Sequence, residues 1–337
     1  MKALVCTKPG QLDYVEMAEP ELQPAHAIIK LQRVCVCGTD LHAFDGTQPY
    51  FNYPRILGHE LSGELIAFDQ APGFTKGDLV TIIPYFSCGQ CLACRTGKPN
   101  CCANIKVCGV HVDGGMVEFL QVPSYSLVHS SGLNASELAL VEPLAIGAHG
   151  IRRAQIQEGE YVLVIGAGPI GLGTMEFARI AGARVIAMDV NEKRLNIAQT
   201  KFQIPYSVNA LGPNVSEQIR QITHGDMPSV VIDATGNQQA INNGLNYLTH
   251  SGRYVLIGLQ KGDLIFSHPE FHKRETTLMS SRNATREDFY SVIKAINDGL
   301  VNPSDYISMT VGFEQAKSAF SEWATAPDDM IKLAITM

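Results

Sequence analysis

Residues 161–182 read YVLVIGAGPIGLGTMEFARIAG. A short apolar run rich in β-branched residues, a glycine-rich turn and a segment of helical length follow one another. This order predicts strand, turn and helix. Gly166, Gly168 and Gly171 fill the positions of G-x-G-x-x-G. The first glycine permits a tight turn, the second lets the backbone approach a pyrophosphate, and the third lets helix and strand pack closely. Pro169 suits a helix start, where its missing N–H is not needed. Ile170, Phe177, Ala178 and Ala181 are expected on one buried helical face. Phosphates would sit at the helix N-terminus, against unpartnered amides and the positive end of the dipole. Gly166, Gly168, Pro169, Ile170 and Gly171 are therefore candidate dinucleotide-binding residues.

The sequence that follows supplies the context this turn requires. The next apolar run, ARVIAMD, ends in Asp189, 23 positions beyond Gly166. An acidic residue there accepts hydrogen bonds from ribose hydroxyls and repels a 2′-phosphate, which predicts NAD rather than NADP. Arg194 is a candidate neighbour of the adenine. SVVIDATG and RYVLIGL continue the pattern of short apolar runs separated by helical lengths. That alternation predicts a doubly wound α/β domain with a parallel Rossmann sheet over residues 150–284. GRYVLIGLQ is expected to offer a sheet edge for pairing between subunits.

Residues 1–149 have a different texture, with short β-rich runs such as HAIIKLQRVCVCG and GDLVTIIP broken by Gly and Pro. They predict an irregular, mostly β domain. Residues 285–337 begin with a polar helix, REDFYSVIKAINDG, and end in IKLAITM, a candidate strand returning to the first domain.

All nine cysteines lie in the first domain. CGQCLACRTGKPNCC, residues 88–102, holds five of them. Cys88, Cys91, Cys94 and Cys102 supply four thiolates on one loop, enough to close a tetrahedron around zinc with no open position. Such a site stabilises a fold and does no chemistry. Cys101 is spare by spacing, and Cys6, Cys35 and Cys108 read as buried structural thiols. A second set is dispersed: Cys37 in VCGTDLH, His59 and Glu60 in GHE, and Glu142 in VEPLAIGAHG. One thiolate, one imidazole and one carboxylate make a three-ligand zinc site with an open fourth position. Taken singly, each also reads as an ordinary core or helix-start residue.

Bulk properties narrow the class. The chain has 337 residues, 45% hydrophobic and 18% charged, with a net charge of −7. The acidic balance argues against a nucleic-acid partner, which rewards clustered Lys and Arg. No apolar run reaches the roughly 18 residues of a membrane span, and no apolar leader is evident. Many cysteines without a secretion signal predict reduced thiols in a cytoplasm.

Taken together in order (CGTD, GHE, the four-cysteine loop, EPLA, the glycine turn), these motifs resemble the zinc-dependent medium-chain dehydrogenases, the group of alcohol, sorbitol and threonine dehydrogenases. The resemblance covers the whole chain and implies a GroES-like catalytic domain followed by the Rossmann domain. It implies a catalytic zinc at Cys37, His59 and Glu142, with Glu60 able to approach or exchange onto the metal. It implies a structural zinc at Cys88, Cys91, Cys94 and Cys102, and NAD as hydride acceptor. Asp40 matches a carboxylate that orients the zinc-bound imidazole, and Thr39 and His42 match a proton relay. A homodimer or homotetramer is implied. The chain departs from the family pattern at Asp69, where a glycine is usual after GHELSGELIAF.

QPYFNYPRILGHE, GVHVDGG, FHKRETT and SSRNATREDF are similar to the sugar-acid branch, the L-galactonate and L-gulonate 5-dehydrogenases. That likeness implies oxidation of the C5 hydroxyl of a hexonate. Arg282 is the candidate for its carboxylate, because guanidinium offers a bidentate fork; Asn283 and His111 are secondary candidates. Alternatives are a polyol dehydrogenase of the sorbitol kind, a threonine-type dehydrogenase, and a sensor that binds NAD and zinc without turnover.

Overall fold

A computed structural model describes residues 1–48, 51–323, 325 and 330–337. Pro49 and Tyr50, within QPYFNYPRILGHE, lie outside the described residues. The chain forms two compact units: Met1–Glu142 with Ala284–Met337, and Pro143–Asn283. The first boundary thus falls at 142/143, inside the helix Val141–Ala154, rather than at 149/150. The second falls at 283/284, one residue before 284/285.

The first unit is built on a seven-stranded sheet. Its central strand, His26–Cys35, pairs antiparallel with Glu60–Phe68, placing Cys35 opposite Glu60. The terminal strand Lys332–Thr336 pairs antiparallel on its other side, with Ala334 opposite Cys35. IKLAITM therefore does return as a strand, beside the centre of the first unit. Three elements distant in sequence are thereby brought to one end of this sheet, where the central strand runs out into Cys37. Ile29, Leu61, Leu65 and Leu333 are fully buried beneath it, each worth about 1.5–3 kcal/mol of burial. The helix Gly38–Phe44 follows at once. Cys37 is its N-cap, and Asp40 reaches back to the Cys37 amide in a capping box. At the Asp69 departure the strained position is the next residue, Gln70, with φ of 54°. The Asp69 carboxylate meanwhile accepts the Ala25 amide at 2.7 Å.

The second unit is a six-stranded, wholly parallel sheet. In space its strands run Tyr206–Asn209, Arg184–Asp189, Tyr161–Ile165, Val230–Asp233, Arg253–Leu256 and Thr277–Ser280. In chain order this is third, second, first, fourth, fifth, sixth, the doubly wound arrangement with its switch point beside the first strand. Two features differ from what the sequence predicts. Arg253–Leu256, from GRYVLIGLQ, is an interior strand flanked by Val230–Asp233 and Thr277–Ser280; the edges belong to Tyr206–Asn209 and Thr277–Ser280. The helix Pro169–Ile180 is not buried on one face alone. Every residue from Gly171 to Ala178 is buried, while Ile170 and Ala181 are only half-buried. The reason is a second helix: Gly147 lies so close that a Cβ there would stand 2.7 Å from the Thr174 amide nitrogen.

Among the described residues, no helix is long and apolar enough to cross a membrane.

Candidate active site and metal clusters

The glycine turn has the geometry its sequence demands. Gly166 adopts φ of +101°, and a Cβ on Gly171 would stand 1.8 Å from the Gly166 carbonyl oxygen. A Cβ on Gly168 would meet nothing within 4 Å. The turn therefore leaves space at the N-cap of the helix, where the amides of Ile170 and Gly171 have no carbonyl four residues back within the helix. A pyrophosphate fits that cradle. Asp189, 7% exposed, takes the Ala167 amide on Oδ2 at 2.7 Å and the Asn191 amide on Oδ1 at 2.9 Å. It braces the turn, a role its place in the sequence did not announce. Arg194 is half-buried in the helix Glu192–Thr200, whose N-cap is Asn191.

In the first unit, ligand atoms of Cys88, Cys91, Cys94 and Cys102 all lie within 4.8 Å of one another. Two sulfur pairs, Cys91 with Cys94 and Cys88 with Cys102, stand 3.4 Å apart. Four sulfurs bound to one zinc at about 2.3 Å stand about 3.8 Å apart, so the loop is shaped for the ion. The amides of Gln90 and Cys91 hold the Cys88 thiol down to about 6, favouring thiolate. Cys101 is exposed, and Cys6, Cys35 and Cys108 are buried.

The second cluster sits where the central strand ends. Ligand atoms of Cys37, His59 and Glu60 lie within 4.8 Å of one another. Glu142 stands beside them: it acts electrostatically on the His59 ring, and its Oε1 accepts a hydrogen bond from the Tyr85 hydroxyl. The tight trio thus contains Glu60, where the resemblance had put Glu142. Asp40, buried, accepts the Cys37 amide at 2.9 Å and the Gly58 amide at 3.1 Å, tying together the two ligand-bearing segments. Its Oδ1 is 3.8 Å from His59 Nδ1, a buried atom without a hydrogen-bond partner among the described residues. Burial raises the Glu142 carboxyl to about 7. Burial alone would lower the His59 imidazole, yet Cys37, Asp40 and Glu142 hold it well above its usual range. The half-buried Cys37 thiol, the buried imidazole and the buried Glu60 carboxyl lie close enough to share one cation. The sulfur, nitrogen and carboxylate donors fit zinc.

Lys332 escaped the sequence reading. It is 2% exposed beside a fully buried Glu60, and its Nζ donates to both Glu60 oxygens at 2.7 and 2.6 Å. Removing one partner of such a pair costs about 3–5 kcal/mol. The available signal was a lone charge in the apolar run MIKLAITM. Tyr85 had no comparable signal.

Thr39 and His42 lie three residues apart on Gly38–Phe44, with His42 exposed. His42 Nδ1 is 3.0 Å from the Thr47 hydroxyl; when that hydroxyl donates to the His42 carbonyl at 3.3 Å, Nδ1 carries the proton and Nε2 is the basic nitrogen. His111 is exposed, and its Nδ1 accepts the Val107 amide at 3.0 Å, which commits that nitrogen to its own turn. Arg282 is exposed and Asn283 takes φ of 55°, both at the end of the second unit.

Comparison with known proteins gives the family. Residues 23–132 match the alcohol dehydrogenase GroES-like domain and residues 169–298 the zinc-binding dehydrogenase family. The chain is 41% identical over 337 residues to an L-galactonate-5-dehydrogenase of Escherichia coli K12, covering 100% of this chain and 99% of that one. The chain belongs to the zinc-type medium-chain alcohol dehydrogenases. A sorbitol dehydrogenase of Halalkalibacterium halodurans, another relative, is 29% identical over 343 residues, covering 100% and 99%. An alcohol dehydrogenase from E. coli CFT073, solved with NADH, superposes with a TM-score of 0.93 at 28% identity, covering 100% and 99%. This medium-chain dehydrogenase is accordingly a zinc-dependent oxidoreductase of alcohols. Zinc and a nicotinamide dinucleotide are the family's cofactors, and the residues present fit both.

Proposed function

We propose that this dehydrogenase oxidises the C5 hydroxyl of a hexonate, L-galactonate or L-gulonate, to the corresponding 5-keto acid with NAD. The likeness to the E. coli L-galactonate-5-dehydrogenase over the full length carries the substrate class; Cys37 and His59, gathered with Glu142 beside them, carry the chemistry. When bound, NAD supplies the hydride acceptor and zinc the Lewis acidity that brings the substrate hydroxyl toward alkoxide, by analogy with bound water whose pKa falls from 15.7 to about 7, roughly 12 kcal/mol.

The protein's own groups do the rest. Cys37, His59 and Glu142 would hold the ion, with Tyr85 fixing the Glu142 carboxyl. Asp40 orients the His59 ring. The substrate's hydroxyl proton leaves by the Thr39 hydroxyl toward His42, an exposed residue. Arg282 anchors the hexonate carboxylate, with Asn283 as its neighbour. A polyol reading is favoured by the sorbitol dehydrogenase relative, so the deciding experiment compares hexonates with hexitols by NADH absorbance. Arg282→Ala is expected to lower kcat/KM for a hexonate at least tenfold and for the matching hexitol less than threefold. Equal losses would remove Arg282 as the anchor.

Asp189 would select NAD. A carboxylate about 4 Å from a 2′-phosphate costs roughly 4 kcal/mol at an effective dielectric near 20. If solvent screening leaves a third of that, Asp189→Asn raises the NADP/NAD ratio of kcat/KM about tenfold. An unchanged ratio would show that the discrimination lies elsewhere.

A further inference from the structure

We propose that Lys332 is a positioning residue: by holding both oxygens of Glu60, it keeps that carboxylate off the ion bound by Cys37, His59 and Glu142. This inference rests on the metal reading of the site given above. Glu60 has a ligand atom within 4.8 Å of those of Cys37 and His59, close enough to join them on one ion without main-chain movement. Four protein donors would close the tetrahedron and leave no position for substrate. The two glutamates differ in how they are engaged. Among the described residues, Tyr85 occupies only Oε1 of Glu142. Glu60 has both oxygens on the Lys332 ammonium, whose remaining donor reaches the Val36 carbonyl at 3.4 Å. An ammonium has three donors, and all three are used.

The sheet makes this geometry obligatory. Glu60 enters its strand opposite Cys35, and Lys332 begins the strand on the other side of Cys35, two residues before Ala334. The Val36 amide donates to the Leu333 carbonyl at 2.9 Å, locking the terminal strand against the segment that carries Cys37. The chain terminus thus acts on the metal site through one side chain, touching neither substrate nor cofactor.

Glu60→Gln, Lys332→Met and the double variant test this, with zinc content, the rate of zinc release to a chelator and the visible spectrum of cobalt-substituted protein as readouts. With Glu60 held off the ion, Glu60→Gln keeps two zinc ions per chain and releases the catalytic one within about threefold of the wild-type rate. A resident ligand would instead lose affinity by more than the about 10–100-fold typical of outer-shell changes, and that result would overturn the proposal even if Lys332→Met fails to fold. In Lys332→Met the freed Glu60 binds the ion: release slows at least tenfold, the cobalt spectrum changes, and kcat/KM falls at least 100-fold. Lys332→Met with Glu60→Gln recovers the wild-type spectrum and release rate, and activity to within about tenfold. A purely structural lysine predicts no change of spectrum in Lys332→Met, and that outcome too would overturn it. Wild-type protein that takes up only one zinc per chain would refute the metal reading itself.

Discussion

Replacing His59 with alanine is expected to lower kcat/KM for alcohol oxidation at least about 1,000-fold and to leave one zinc ion per chain. The cause is electrostatic. The Cys37 thiol and the Glu60, Glu142 and Asp40 carboxyls converge on this end of the sheet, and Lys332 is already committed to Glu60. His59 is the neutral donor that lets a divalent cation complete the set. Without it, the ion has one thiolate and carboxylates, a poorer match to zinc. If losing the ion forfeits even a third of the roughly 12 kcal/mol by which it favours alkoxide, the rate falls by about 4 kcal/mol, or three decades. Asp40→Asn provides the graded comparison. It weakens the orientation of His59 without removing a donor, so a loss of about 10–100-fold is expected. Zinc content by atomic absorption, read beside NADH production, separates a lost ion from a misplaced one. Full activity in His59→Ala would refute the assignment.

How much of this was legible in the sequence depends on the range of the interaction involved. The glycine turn was readable because its constraints are local: Gly166 needs positive φ, and Gly171 must lie under the Gly166 carbonyl, all within six residues. The four-cysteine loop was readable for the same reason. The dispersed cluster was not readable from spacing, because sheet register brings the Cys37 segment to His59 and Glu60, and Glu142 joins them from the start of the helix Val141–Ala154. It was the order of motifs and their family resemblance that grouped them. Lys332 was missed since its partner lies 272 positions away, and strand pairing, which brings them together, leaves no local signature. Asp189 was placed correctly at the end of its strand, but its bonds to Ala167 and Asn191 depend on how the turn closes over it. GRYVLIGLQ was misplaced as an edge because a four-residue apolar strand reads alike at the centre or edge of a parallel sheet; only the later pairing of Thr277–Ser280 decides it.

The second large effect concerns the cysteine loop. Cys94→Ser is expected to remove the structural zinc and to expose the loop to trypsin at Arg95, with cleavage at least about 100-fold faster than in the wild type. The loop has almost nothing else to hold it. Between Cys88 and Cys102 only Asn100 and Cys102 are buried, and Leu92 is 69% exposed. Its two helical elements, the single turn Leu92–Arg95 and the three-residue 3-10 turn Pro99–Cys101, are both minimal. An element this short with no apolar face does not persist alone in water. Apparent zinc-binding energies of about 10–16 kcal/mol in comparable peptides therefore represent nearly the whole stability of the loop. In the intact loop Arg95 is clamped to the Gln90 carbonyl, and cleavage follows the open fraction; losing about 3 kcal/mol raises that fraction about 100-fold. The bond after Lys98 precedes Pro99 and resists trypsin, so a single early cut at Arg95 is the signature. The core of the first unit includes no residue of the loop, so the catalytic zinc is retained while the loop opens. Loss of both ions together would show that the two sites are coupled.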